Sequence, residues 1–313
     1  MNALARQAPG SAAERLVAAF LAGRNAETRR AYSNDLADFA AFLEVGTVDC
    51  AAELLLGGGH GAGNELALAY RAHLVEKKLA AATINRRLAA LRSLVKLGRV
   101  LGMVPWTLEV PNEKAQPYRD TRGPGRAGFL ALLEQLRARS DAKGARDRAI
   151  VRLLYERALR CVEVRRLDLV DVDLDAGVLQ VLGKGRKSKE PLTIAGPTLA
   201  AVKAWIVVRG TEAGPLFTNL DRAHKRQRIS STAVYDVVRQ LGEAAGIRAR
   251  PHGLRHAAIT EALDRKLDVR AVQRFSRHRD LRILLVYDDN RADLGGEVTK
   301  AIAEQDQAAT VAG

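Results

Sequence analysis

The sequence predicts a mainly α-helical chain with a small antiparallel β-sheet in its C-terminal part. Three observations predict it. Apolar residues recur at helical spacing through residues 11–105. The stretch PNEKAQPYRDTRGPG, residues 111–125, mixes Pro, Gly and charge without periodicity and reads as a linker. Beyond it the pattern turns to alternation in LVDVDLDAGVLQVLGKGRKSKEPLTI. A chain of 313 residues has room for two domains. The boundaries fall at 1–110, 111–125 and 126–313.

In the first region, Asn25 is placed to cap a helix, and Tyr32, Leu36, Phe39 and Leu43 follow at helical spacing. GGGHGAGN, residues 57–64, reads as a loop, too irregular for a dinucleotide fingerprint. In ATINRRLAALRSLVKLGRVLG, Ile84, Leu88, Leu91 and Val95 make one apolar stripe. Arg86, Arg87, Arg92, Lys96 and Arg99 take the other faces. After the linker, helical patterns cover about 126–139 and 144–159. About three strands follow, with turns at Asp175-Ala176-Gly177 and Gly183-Lys184-Gly185. Helical patterns return from Pro197 to the end.

The net charge of +14, with a pI near 10.2, points to a polyanionic partner, nucleic acid above all. The basic residues are spread along the chain, as on a folded basic surface. Two unclustered cysteines, Cys50 and Cys161, make neither a disulfide framework nor a zinc site and fit a reducing cytoplasm. MNALARQAPGSAAERL lacks the apolar core of a secretory leader, and no run of about 18 apolar residues predicts a membrane span. Aromatics at 4% and no stacking motif argue against single-stranded RNA.

The segment PHGLRHAAIT gathers His252, Arg255 and His256 directly after a proline. His252 and His256 have the i, i+4 spacing of metal ligands. No Glu follows the first as in H-E-x-x-H, no cysteine is near, and Arg255 between them repels a cation. No metal site or cofactor is predicted. A phosphate fits better, since Arg offers a fork of donors and His a donor that also moves protons. An isolated H-x-x-R is more often a solvated helix end. Groups of the same chemistry stand apart along the chain: Arg160 in ALRCVE, Lys184 in GKG, and His278 and Tyr287 in SRHRDLRILLVYDDN.

The ordered set Arg160, Lys184, His252-Gly-Leu-Arg255-His256, His278 and Tyr287 resembles the tyrosine recombinase (phage integrase) family, in its simple two-domain, Xer-like form. The resemblance places Glu163 beside Arg160 and Lys184 on a hairpin turn, with Tyr287 nine residues after His278. It implies a helical, SAM-like core-binding domain that clamps duplex DNA and an α+β catalytic domain. It also implies a homotetramer on DNA core sites, a C-terminal tail exchanged between subunits, and a cytoplasmic, nucleoid-associated location. Two departures stand out. SRH replaces the usual LGH, putting Ser276 and Arg277 where Leu and Gly are common. Lys187 and Lys189 share the hairpin with Lys184.

The chemistry fits those residue types. A DNA phosphodiester gathers negative charge on its non-bridging oxygens at the transition state, so fixed cations and donors are needed there. The resemblance assigns Arg160 and Arg255 to those oxygens, with His252 and His278 beside them. It makes Tyr287 the nucleophile, Lys184 the general acid, and Glu163 and His256 supporting residues. DNA contacts are expected from Arg86, Arg87, Arg92 and Lys96, and from Lys225, Arg226 and Arg228 in DRAHKRQR. Rival readings are a DNA-binding accessory protein or repressor without cleavage, and strand relaxation of the type IB topoisomerase kind.

Overall fold

The computed structural model describes residues 10–114, 123–183, 186, 188–194, 196–221, 223, 226–278, 280–285, 296 and 299–300. The chain divides into two compact units, Met1–Pro117 and Tyr118–Gly313.

Among the described residues, the first unit holds five helices: α1 (Ala12–Ala22), α2 (Ala26–Phe42), α3 (Val48–Gly57), α4 (Gly59–Glu76) and α5 (Ala81–Val100). Asn25 caps α2, its side chain accepting from the Thr28 amide at 2.9 Å. Ser11 and Thr47 cap α1 and α3 in the same way. The α5 stripe Ile84, Leu88, Leu91, Val95 is buried, packed with Leu16, Phe39, Leu55 and Tyr70.

The glycine-rich stretch 57–64 is not a loop. Only the Gly58–Gly59 junction interrupts the helices, and 59–64 forms the first turns of α4. Packing overrides the low helix propensity of glycine here. Gly63 lies so close to the Trp106 ring that a Cβ would come within 2.6 Å of it. The neighbouring Asn64 donates to the His60 carbonyl and accepts from the Glu109 amide.

The second unit begins with α6 (Gly125–Arg137), α7 (Ala142–Glu156) and the short α8 (Cys161–Arg166). Then come β1 (Val172–Asp173), β2 (Val178–Leu182) and β3 (Lys189–Thr193), antiparallel in sequence order, with Val172 opposite Leu179 and Gln180 opposite Pro191. The sheet is the one the alternation predicts. The last described helices are α9 (Gly196–Arg209), α10 (Ser231–Ala244), α11 (Pro251–Asp264), α12 (Val269–Ser276) and α13 (Arg282–Leu285). Helices return from Gly196 onward, as the patterns from Pro197 predict, with a non-helical stretch between α9 and α10. That segment is irregular, held by bridges Asp168–Pro215 and Thr218–Arg228 and by the Trp205 indole, which donates to the Leu216 carbonyl at 2.8 Å. A core around Leu154, Val202, Trp205, Leu254 and Ile259 unites these elements.

Candidate active site

Arg160 stands where α7 has ended and α8 begins, as the helix patterns predict. Its extended backbone (φ −76°, ψ 151°) makes it the N-cap of α8. Its amide donates to Glu163 Oε2 at 2.8 Å and its Nη1 to Oε1 at 2.7 Å. The Arg160 side chain keeps 27% exposure, so its guanidinium still reaches solvent, whereas Glu163 is buried. Burial alone would raise the Glu163 carboxyl. Arg277 and the hydrogen bonds from Arg160 outweigh it and hold the carboxyl below its ordinary range.

His252 and Arg255 lie in the first turns of α11, which starts at Pro251, the helical position where a missing amide hydrogen costs nothing. His252 is exposed. Arg255 is 1% exposed. Its guanidinium donates to the carbonyls of Ala158 and Ser276 and touches His278 Nε2 at 3.2 Å. Crowding that strips water from the His252 ring, then Arg255 and Arg160, lower its pKa. The glycine between His252 and Arg255 has its own reason. Gly123, at φ 68°, crosses so near that a Cβ on Gly123 would meet the Gly253 carbonyl oxygen at 2.0 Å, and one on Gly253 would meet the Gly123 Cα at 3.0 Å.

His278 follows α12 and is half-buried. Desolvation first, then Arg255, Arg160, Arg277 and His252, push its pKa down to about 4. His278 thus sits in the field of both arginines of the candidate set. Its tautomer follows from the bonds around it. The Ser276 hydroxyl donates to the Gln273 carbonyl at 3.1 Å, so toward His278 Nδ1, also at 3.1 Å, it accepts. The hydrogen is therefore on Nδ1, and Nε2 faces Arg255 as an acceptor.

The structure thus gathers Arg160, Glu163, His252, Arg255 and His278. His256 is buried on α11 with Nδ1 at 3.4 Å from Thr260 Oγ1. Lys184, Lys187, Lys225 and Tyr287 lie outside the described residues. Lys189 pairs with Asp171. Among the described residues, no three His, Cys, Asp or Glu side chains form a metal-holding group.

Sequence reasoning missed Arg277. It ends α12 at φ 55°, ψ 36°, the left-handed region that costs a non-glycine residue about 1–2 kcal/mol. Its guanidinium is buried against Glu163, at 2.7 Å. The only signal in the sequence was the departure from LGH.

The basic residues read as DNA contacts are mostly engaged within their own units. Arg86 pairs with Asp35, and Arg87 with Asp38. Arg92 donates to the Val110 carbonyl and to Asn112, each at 2.7 Å. Arg228 donates to the carbonyls of Arg165 and Leu167 and to Asp168. Arg226 pairs with Glu212 at the surface, and Lys96 is exposed.

Known proteins resemble this chain in sequence and fold. The phage integrase family model matches residues 130–293. A tyrosine recombinase of Synechocystis sp. is 39% identical over 290 residues, 90% of this chain and 92% of that protein. Another, of Synechococcus elongatus, is 40% identical over 289 residues and 90% of each chain. Among solved structures, XerH site-specific recombinase bound to palindromic difH substrate, in a post-cleavage complex, has a similar fold. Its TM-score is 0.61 at 18% identity, over 92% of this chain and 95% of that one. The chain belongs to the phage integrase family, among the tyrosine recombinases.

Proposed function

We propose that this tyrosine recombinase is site-specific, cutting and rejoining duplex DNA through a 3′-phosphotyrosine link. The observation that carries the reading is the convergence of Arg160, His252, Arg255 and His278 at the starts of α8 and α11 and the end of α12.

A phosphodiester placed there meets Arg160 and Arg255 on its non-bridging oxygens, with Glu163 fixing the Arg160 fork. Tyr287 Oη attacks phosphorus, the bond to the 5′-oxygen breaks, and Lys184 gives that oxygen its proton. His252, held toward the neutral imidazole, is in the form that can accept the tyrosine proton, while Nε2 of His278 is engaged by Arg255. A 5′-hydroxyl of a second DNA then attacks the phosphotyrosine, so strands rejoin with no nucleotide consumed. The first unit clamps one face of the DNA with Lys96 as an exposed basic contact, Arg226 is an exposed basic contact of the second unit, and four subunits assemble on paired core sites. The tail after Tyr287 docks on a neighbouring subunit. The enzyme works in the cytoplasm, at the nucleoid.

Covalent trapping tests the reading. Nicked duplexes from the DNA flanking the gene are incubated with the protein and with Tyr287→Phe, then run under denaturing conditions. A slow-migrating adduct with the unaltered protein alone is the expected result. Tight binding without an adduct points to an accessory DNA-binding role. An adduct formed without exchange between two duplexes points to strand relaxation.

A further inference from the structure

We propose that Arg277 is a positioning residue that locks together the elements carrying Arg160, Arg255 and His278. The proposal rests on the recombinase reading for its catalytic consequence, and on geometry alone for the lock itself.

Four segments meet at this one guanidinium. Its Nη2 donates to Glu163 Oε2 at 2.7 Å, and Glu163 in turn holds Arg160. The same Nη2 donates to the Ala158 carbonyl at 3.1 Å, an oxygen that also accepts from Arg255. Nη1 donates to the carbonyls of Arg157 and Phe275 at 3.2 and 3.1 Å. Nε lies 3.6 Å from Glu190 on β3, at ion-pair distance. The backbone of Arg277 leads directly into His278. One side chain therefore touches the supports of Arg160 and Arg255 and directly precedes His278.

The backbone makes a structural accident a poor account. Glycine would adopt φ 55° without strain, and Gly is common at this place in the family the sequence resembles. Arginine here accepts that strain and the burial of a cation. Both are offset by one full carboxylate partner, a second at longer range, and three carbonyls. A surface arginine at a helix end would have none of these. Losing the guanidinium leaves Glu163 with Arg160 as its one cation, and frees Arg160 to move away from the phosphate.

The test uses Arg277→Gly and Arg277→Lys in the full chain. The charged groups facing Glu163 are Arg160 on its own helix and Arg277 from the end of α12, while Glu190 faces Arg277 from β3. Removing Arg277 raises the pH at which Glu163 takes a proton. An NMR titration of the Glu163 carboxyl should move up by about one unit or more in Arg277→Gly, and stay near its original value in Arg277→Lys, which keeps the charge. Single-turnover cleavage should fall on the order of a hundredfold in Arg277→Gly, with DNA affinity unchanged and the acid limb of the profile displaced upward. Arg277→Lys should restore the acid limb and part of the rate. An unmoved Glu163 titration overturns the lock. So does wild-type cleavage by either variant. Should Arg277→Gly fail to fold, Arg277→Lys decides, since full activity with a lysine means the fork is not needed. If the unaltered protein forms no adduct, the recombinase reading fails, and the Glu163 titration still judges the lock.

Discussion

His278 is a histidine whose charge is settled by its neighbours. Desolvation and the cations Arg255, Arg160 and Arg277 leave it neutral, and Ser276 fixes the hydrogen on Nδ1. NMR of the imidazole should show an unchanging Nδ1–H ring between about pH 5 and 8, where an ordinary histidine changes charge. Ser276→Ala should mix the tautomers. The folded pKa lies below the unfolded one, so the unfolded chain binds the extra proton between them. This residue's contribution to stability is thus complete above about pH 6.5 and is lost as pH falls toward its folded value of about 4. At this scale the sequence was readable where chemistry follows spacing. His252 and Arg255, three apart on one helix, could be paired before any coordinates. Ser276 and Arg277 could not. A left-handed arginine has no local signature, and its partners Glu163 and Glu190 are over eighty residues away in the chain.

Between elements, α2 and α5 are joined by charge rather than by apolar stripes alone. Asp35 is 2% exposed and accepts from Arg86, with Arg87 a second cation at 4.0 Å. Burial raises the Asp35 pKa, and the two arginines counter it only in part. Arg86→Ala leaves a buried carboxylate short of a donor and should lower the stability of the first unit by about 1–3 kcal/mol, read as a lower denaturation midpoint. Unchanged stability with weakened DNA binding would instead return Arg86 to the DNA surface. Periodicity revealed the α5 stripe because its four residues recur over three turns. It hid the start of α4, where Gly63, set against Trp106, and the glycines before it read as a loop. Arg86, Arg87 and Arg92 looked like a solvated basic face because a sequence displays charge but not its partners, which are on α2 for the first two and at Val110 and Asn112 for the third.

At the scale of the molecule, each of the two units has its own buried core, and the charge of +14 belongs to the chain as a whole. Association with DNA should therefore be dominated by released counterions. Raising salt from about 50 to 200 mM should weaken binding roughly a thousandfold or more, measurable by fluorescence anisotropy. A slope near zero would mean that the basic residues serve only their internal ion pairs, as Arg87 and Arg228 do. In the sequence, the Pro, Gly and charge of residues 111–125 interrupt every periodic pattern.

One small feature constrains how this sequence can change over time. The carbonyl of Ala158, a residue itself at φ 45°, receives hydrogens from both Arg255 and Arg277. Positions 158, 255 and 277 thus form an epistatic trio. A substitution tolerated at one depends on what occupies the other two, and double mutants among them should depart from additivity. A lineage that exchanged Arg277 for glycine would have to resettle the 158 peptide in the same stretch of history, so these sites are expected to drift together or not at all.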